Sequence, residues 1–203
     1  MTDKIVKVMF FDRDGTINVK MPEDSYVTNW GEFQFLPYTF EVLRAIKDRD
    51  YKTILVTNQR GIARGIMTST QLLDIHERMQ SILRQNGCSF DHIFYCPHDI
   101  HEKCNCRKPK PGLLAMVDAL YCINKEHSFM VGDSLSDMEA GRRYGVKTIR
   151  VGSIDVNADY SAMNLSEILT IIISSPQDAY ALYHWTISYK TCIDHEIPIC
   201  SVY

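Results

Sequence analysis

The sequence predicts an α/β fold, a doubly wound (Rossmann-like) parallel sheet with helices on both faces. Three observations lead there. Short apolar, β-branched runs alternate with segments of helical periodicity along most of the 203 residues. The intervals between runs suit crossover helices. Four of the runs stop at polar or acidic residues, as strands do at a rim where ligands bind.

Taken in order, Ile5 to Phe11 reads as a buried strand that ends at Asp12. Tyr38 to Asp50 places Phe40, Leu43 and Ile46 at helical spacing, and Lys52 to Val56 is a second strand ending at Thr57. Thr68 to Asn86 is a helix opened by a capping box, Thr68 with Gln71, carrying an apolar face of Leu72, Ile75, Met79 and Ile82 before Gly87 stops it. His92 to Tyr95 is a third strand leading into a Cys- and His-rich loop. Pro111 then opens a helix with Leu114, Val117 and Tyr121 on one face. Ser128 to Val131 is a fourth strand, Leu135 to Tyr144 a helix closed by Gly145, and Lys147 to Val151 a fifth strand. A further helix begins near Leu165 and breaks at Ser174-Ser175-Pro176. Residues 1–174 therefore read as one domain, and 175–203, with Tyr180, Tyr183, Trp185 and Tyr189, as an extension of unknown role.

Composition bounds the function. With 45% hydrophobic and 23% charged residues, this is the make-up of a soluble globular domain. A chain of this length buries well over half of its unfolded surface, so a metal is not needed merely to hold a core together. The balance of 22 Lys+Arg against 25 Asp+Glu, a net charge of -3, argues against a nucleic-acid partner. Seven cysteines cannot form a complete disulfide framework, and no basic region followed by an apolar one opens the chain. The aliphatic stretch Ile168 to Ile173 is far short of the roughly 20 residues that cross a bilayer. A reduced, cytoplasmic monomer with no membrane span is expected.

Four strand ends should converge on one rim: Asp12-Arg13-Asp14, Thr57-Asn58-Gln59, the loop leading to Arg107-Lys108, and Gly132-Asp133-Ser134. An isolated Asp-x-Asp-Gly is most often an ordinary turn. Here a hydroxyl, a Lys and a third carboxylate arrive at the same place. Asp12, Asp14 and Asp133 together make a reasonable oxygen cage for Mg²⁺. Ser134 followed by Asp137 also reads as a helix cap.

These segments resemble the haloacid dehalogenase superfamily of phosphotransferases, through Phe11-Asp12-Arg13-Asp14-Gly15-Thr16-Ile17, Thr57-Asn58-Gln59, Lys108, and Gly132-Asp133-Ser134 with Asp137. More narrowly, Gly61-Ile62-Ala63-Arg64-Gly65 and Cys106-Arg107-Lys108-Pro109-Lys110-Pro111-Gly112 are similar to the heptose-bisphosphate phosphatases, whose close relatives are the histidinol-phosphate phosphatases. The resemblance covers residues 5 to 165. It implies that residues 1–174 are a phosphatase domain of the haloacid dehalogenase type, without a large cap domain. It also implies a nucleophile, Asp12, that forms an aspartyl-phosphate, and an acid and base, Asp14. Thr57 and Lys108 would bind the phosphoryl oxygens, and Asp12, the backbone carbonyl of Asp14, and Asp133 would hold Mg²⁺. Phosphate monoesters need all of these, because unaided hydrolysis is among the slowest reactions known.

The loop at 96–106 has its own chemistry. Cys96-Pro97-His98 and Cys104-Asn105-Cys106 place three thiols and an imidazole within eleven positions, the donor set of a closed tetrahedral Zn²⁺ site. Buried free thiols or a local disulfide are the plainer readings, which the dense spacing disfavours. His101 is a solvated spacer, and His76 is packed in its helix rather than catalytic. Structural zinc would pin the loop and with it Arg107 and Lys108.

A small phosphorylated sugar is the expected partner, with Asn58, Gln59, Arg60 and Arg107 binding it; the Arg107 fork suits a second phosphate or sugar oxygens. Arg64 is as well explained by a solvated role. Lys20 to Tyr26 corresponds to a substrate-facing loop in the family, with an insertion here. Ser134 and Arg60 depart from the residues common in the family. Histidinol phosphate is the alternative substrate, and an inactive phosphosugar-binding protein is the alternative class.

Overall fold

A computed structural model describes residues 5–173. The expected extension at 175–203 and the helix break at Ser174 lie outside the described residues. Residues up to Ile168 belong to one compact unit, and a second begins at Leu169.

The first strand, β1 (Lys7–Phe11), is the centre of the fold, with Val8 to Phe11 wholly buried. Such a continuous apolar run is what a parallel strand covered on both faces requires. Next come α1 (Thr39–Lys47), β2 (Tyr51–Asn58) and α2 (Ser69–Gln85). Thr68 and Gln71 form the reciprocal cap expected for α2. Its buried stripe is Leu72, Ile75, His76, Met79 and Leu83, so Ile82 stands at the edge of the face rather than within it.

After β3 (His92–Cys96), α3 is a single turn, Gly112–Ala115, followed by a tighter turn from Met116 to Ala119. Tyr121 therefore lies beyond the helix, not on its face. The physical reason is pairing: Val6 N–H donates to Cys122 C=O at 2.9 Å and Asn124 N–H to Val6 C=O at 2.9 Å, so the chain must straighten by Cys122. Strand β4 (Phe129–Gly132), helix α4 (Leu135–Tyr144) and strand β5 (Lys147–Val151) follow. Gly145 ends α4 in the left-handed conformation with φ 92°, where a side chain would be strained. A three-residue strand, β6 (Tyr160–Ala162), adds to β5, and α5 (Glu167–Ile173) ends the described chain. β6 is too short to show a period in the sequence.

All neighbouring strands are parallel, in the order β3-β2-β1-β4-β5-β6. From β1 the chain builds outward to β3, then crosses back to start β4 on the other side. That reversal opens a crevice beyond the carboxyl ends of β1 and β4. Phe11 is level with both Leu55 and Val131, so Asp12, Thr57 and Asp133 emerge along one edge. Among the described residues no helix is long and apolar enough to cross a membrane.

Candidate active site

A cavity of about 560 Å³ opens at that edge, walled by Asp12, Asp14, Thr57, Lys108 and Asp133, with Arg60, Arg107 and the Lys20–Val27 segment around its mouth. Thr57 is the penultimate residue of β2 and is buried there. Asp12 directly follows β1, where its N–H donates to Val131 C=O at 2.9 Å. The sheet thus fixes both backbones before any side chain is placed.

Lys108 is the buried hinge of the site. Its ammonium lies 2.7 Å from Asp12 Oδ1 and 2.7 Å from Asp137 Oδ1, and donates to Val56 C=O at 2.8 Å. Its backbone is clamped by Asn58, whose amide donates to Lys108 C=O at 3.0 Å while its Oδ1 accepts from Lys108 N–H at 3.1 Å. Burial alone would drive the proton off Lys108, but Asp12 and Asp137 reverse this and hold it above the usual lysine range. Burial pushes the Asp12 carboxyl up to about 7, against the pull of Lys108.

Asp14 is held in a different way. The fully buried Arg13 donates through Nη2 to both carboxylate oxygens at 2.9 Å, Asn18 Nδ2 donates to Oδ1 at 3.0 Å, and Gln59 Nε2 to Oδ2 at 2.9 Å. Burial works to raise this carboxyl, but Arg13 and the hydrogen bonds outweigh it and leave it below the ordinary value. Arg13 is itself backed by His76, with Nη1 3.3 Å from Nε2. Burial first, then Arg13, pushes His76 down to about 3, so the ring is neutral and accepts. His76 is packed, as its place on the buried stripe of α2 requires.

Two glycines let the carboxylates in. A Cβ on Gly15, whose φ is 88°, would collide with the Asp133 carboxylate, and a Cβ on Gly132 with Asp137. Asp133 Oδ2 accepts from Lys20 Nζ at 2.6 Å, while its buried Oδ1 has no hydrogen-bond partner among the described residues. Oxygens of Asp12, Asp133 and Asp137 lie within 4.8 Å of one another. Three hard oxygen donors with a buried oxygen left unsatisfied fit a divalent cation such as Mg²⁺. Asp137 is already committed to Lys108 and to the Ser134 N–H and hydroxyl, at 3.0 and 2.6 Å, so Asp12 and Asp133 are the freer donors. The Asp14 side chain points to Arg13 and is not in this group; only its carbonyl could join.

The sulfur cluster forms beside the site. Cys96 Sγ lies 3.5 Å from His98 Nδ1, 3.6 Å from Cys104 Sγ and 3.3 Å from Cys106 Sγ, and Cys106 Sγ is 3.3 Å from His98 Nδ1. Tetrahedral zinc with Zn–S of about 2.3 Å puts sulfurs about 3.8 Å apart, so the four atoms already nearly trace the coordination polyhedron. Burial pushes the Cys96 thiol up to about 12, so its thiolate needs a cation. Cys96 is fixed as the last residue of β3, level with Asn58. The other end of the loop is fixed by Gly112, where a Cβ would collide with the Asn105 carbonyl.

The residues expected at the site are therefore brought together with one change of place. Gln59 is buried behind Asp14 and Thr57, to which its Nε2 donates at 2.9 Å, and does not line the cavity. Asn58 lines the wall but spends its amide on the Lys108 backbone. Arg60 and Arg107 both reach the cavity. The sequence placed Asp137 both among the family's rim residues and as a helix cap, but did not show its ion pair with Lys108. The available signal was an acidic residue, four positions after Asp133, on the inward side of a helix at the rim.

Comparison with known proteins agrees with this geometry. A family model described as polynucleotide kinase 3 phosphatase matches residues 7–177. The chain is similar to the D-glycero-beta-D-manno-heptose-1,7-bisphosphate 7-phosphatase of Pasteurella multocida, 42% identical over 147 residues, covering 70% of this chain and 78% of that protein. It is also similar to the enzyme of that name from Photorhabdus laumondii, 38% identical over 168 residues, covering 77% and 88%. Among solved structures, the D,D-heptose 1,7-bisphosphate phosphatase of B. bronchiseptica, complexed with magnesium and phosphate, superposes with a TM-score of 0.76 at 28% identity, covering 83% of this chain and 98% of that one. The chain belongs to the D-glycero-D-manno-heptose-1,7-bisphosphate 7-phosphatase family of the haloacid dehalogenase superfamily.

Proposed function

We propose that this chain is a Mg²⁺-dependent phosphomonoesterase that removes the 7-phosphate of D-glycero-D-manno-heptose 1,7-bisphosphate. The observation that carries it is the buried Asp12 carboxylate, paired with Lys108 and lining the cavity together with the Asp133 carboxylate and the Thr57 hydroxyl. Asp12 attacks phosphorus in line, the bond from phosphorus to the sugar oxygen breaks, and the leaving oxygen takes a proton from Asp14. Asp14 then takes a proton from the water that hydrolyses the aspartyl-phosphate. Its low pKa in the structure suits this second, basic half of the cycle; the first half requires it to loosen from Arg13. Lys108 and the Thr57 hydroxyl stabilise the phosphoryl oxygens. Asp12, Asp133 and the Asp14 carbonyl would hold Mg²⁺, which when bound neutralises phosphoryl charge.

Cys96, His98, Cys104 and Cys106 would hold structural zinc, with no part in bond breaking. The zinc loop, Arg107 and the Lys20–Tyr26 segment then stand where a cap domain would otherwise close over the sugar. A net charge of -3 supports a small phosphosugar over a polynucleotide. The test is phosphate release from heptose 1,7-bisphosphate and from histidinol phosphate by the wild type and Asp12→Asn. Release by the wild type alone, with preference for the heptose, is expected. Activity surviving in Asp12→Asn would overturn the mechanism, and preference for histidinol phosphate the substrate.

A further inference from the structure

Arg60, which lines the cavity, and Arg64, which stands behind that lining, converge on one carboxylate oxygen of the lining residue Asp24. Arg60 Nη2 and Arg64 Nη1 each donate to Asp24 Oδ1 at 2.8 Å. Asp24 belongs to the Lys20–Tyr26 segment, is two-thirds exposed, and sits in the left-handed region with φ 59°. Both arginines have a second anchor that does not involve Asp24. Arg60 Nε donates to the Tyr26 hydroxyl at 2.8 Å, and Tyr26 lies against Gly61, where a Cβ would come within 3.2 Å of its ring. Arg64 Nε donates to Asp99 Oδ2 at 3.1 Å, next to the zinc-type ligand His98. Asp24 is thus the removable member: take it away and both guanidiniums stay where they are.

A single carboxylate oxygen is a poor match for two guanidinium forks. A phosphate group offers three oxygens and up to two charges, so both forks can engage it at once. Exposed ion pairs are individually weak, so a dianion entering the cavity can displace Asp24. We propose that Arg60 and Arg64 form the subsite for the phosphate that is not cleaved, and that Asp24 occupies it as an internal stand-in until substrate arrives. This rests on the reading of the substrate as a sugar bisphosphate, and it assigns that group to the part of the cavity lined by Asp24 and Arg60. Asp24 would then be released from both arginines each time a bisphosphate binds, while Tyr26 keeps the segment tied to Arg60.

Steady-state kinetics on the zinc-loaded enzyme with heptose 1,7-bisphosphate and heptose 7-phosphate separates the possibilities. Arg60→Ala and Arg64→Ala should each raise KM for the bisphosphate by about tenfold more than KM for the monophosphate, the size of one lost charged hydrogen bond. Asp24→Asn should lower KM for the bisphosphate several-fold, because the stand-in is weakened. Equal effects on both substrates would mean that the arginines only tether the loop, and would overturn the proposal. So would an Asp24→Asn variant with a raised KM, which would make Asp24 part of the binding site. If the wild type ignored the heptose pair but hydrolysed a hexose bisphosphate and its monophosphate, the substrate reading would fall. The subsite would then be judged by the same ratio on the hexose pair.

Discussion

Asp137, buried in the first turn of α4, holds the Lys108 ammonium at 2.7 Å, the same distance at which Asp12 holds it. One carboxylate so caps a helix and orients the cation of the active site. The same residue ties the α4 start to the chemistry at β1, and Gly132 is the residue that lets it fit.

Asp137→Asn keeps an acceptor for the Ser134 N–H but removes the charge that faces Lys108. A hydrogen bond to a charged group is worth about 1.5–3 kcal/mol, so kcat should fall by about 10- to 100-fold with a smaller change in KM. Steady-state kinetics checks this. An unchanged kcat would show that Asp12 and Val56 suffice to hold Lys108.

His76 makes stability depend on pH. Its folded value is pushed down to about 3 against 6.5 in the unfolded chain, so between these limits the unfolded state binds the extra proton. Stability is therefore complete above about 6.5 and is lost as the pH falls toward 3. Denaturant unfolding of wild type and His76→Gln should differ in slope, the wild type losing up to about 2 kcal/mol more between pH 7 and 5. Parallel curves would mean that the ring is protonated in the fold.

Gly112→Ala should disturb the cysteine loop from its far end. The added Cβ meets backbone of Asn105 and Cys106, which cannot move without displacing the sulfur atoms on either side. A destabilisation of about 1–3 kcal/mol, with a lower zinc content by elemental analysis, is expected. Full zinc occupancy at wild-type stability would count against the rigid loop.

Zinc removal should act on loop order rather than on the nucleophile. Stripped protein, supplied with Mg²⁺, should lose activity and gain protease cleavage between Cys96 and Cys106. Full activity after removal, confirmed by elemental analysis, would refute a structural role.

The sequence by itself determined the alternation of strands and helices, the cap of α2, and the bounds of α4 and β5. It also determined which strand ends carry chemistry, because apolar runs that stop at Asp12, Thr57 and Asp133 leave polar residues no other place than the rim. The cysteine spacing was equally local, and its donor atoms meet as that spacing requires. What needed the tertiary structure was every pairing between distant segments. Lys108 stands between Asp12 and Asp137 because β1 and β4 are neighbours in space, and Gln59 turns inward because Asp14 arrives from another strand. The early end of α3 came from Val6, more than a hundred residues earlier. Asp24 met Arg60 and Arg64 only because the Lys20–Tyr26 segment folds against the cavity that the strand ends line. Periodicity and spacing record what a residue does with its near neighbours; charge pairing across a sheet depends on strand order, which no local pattern encodes.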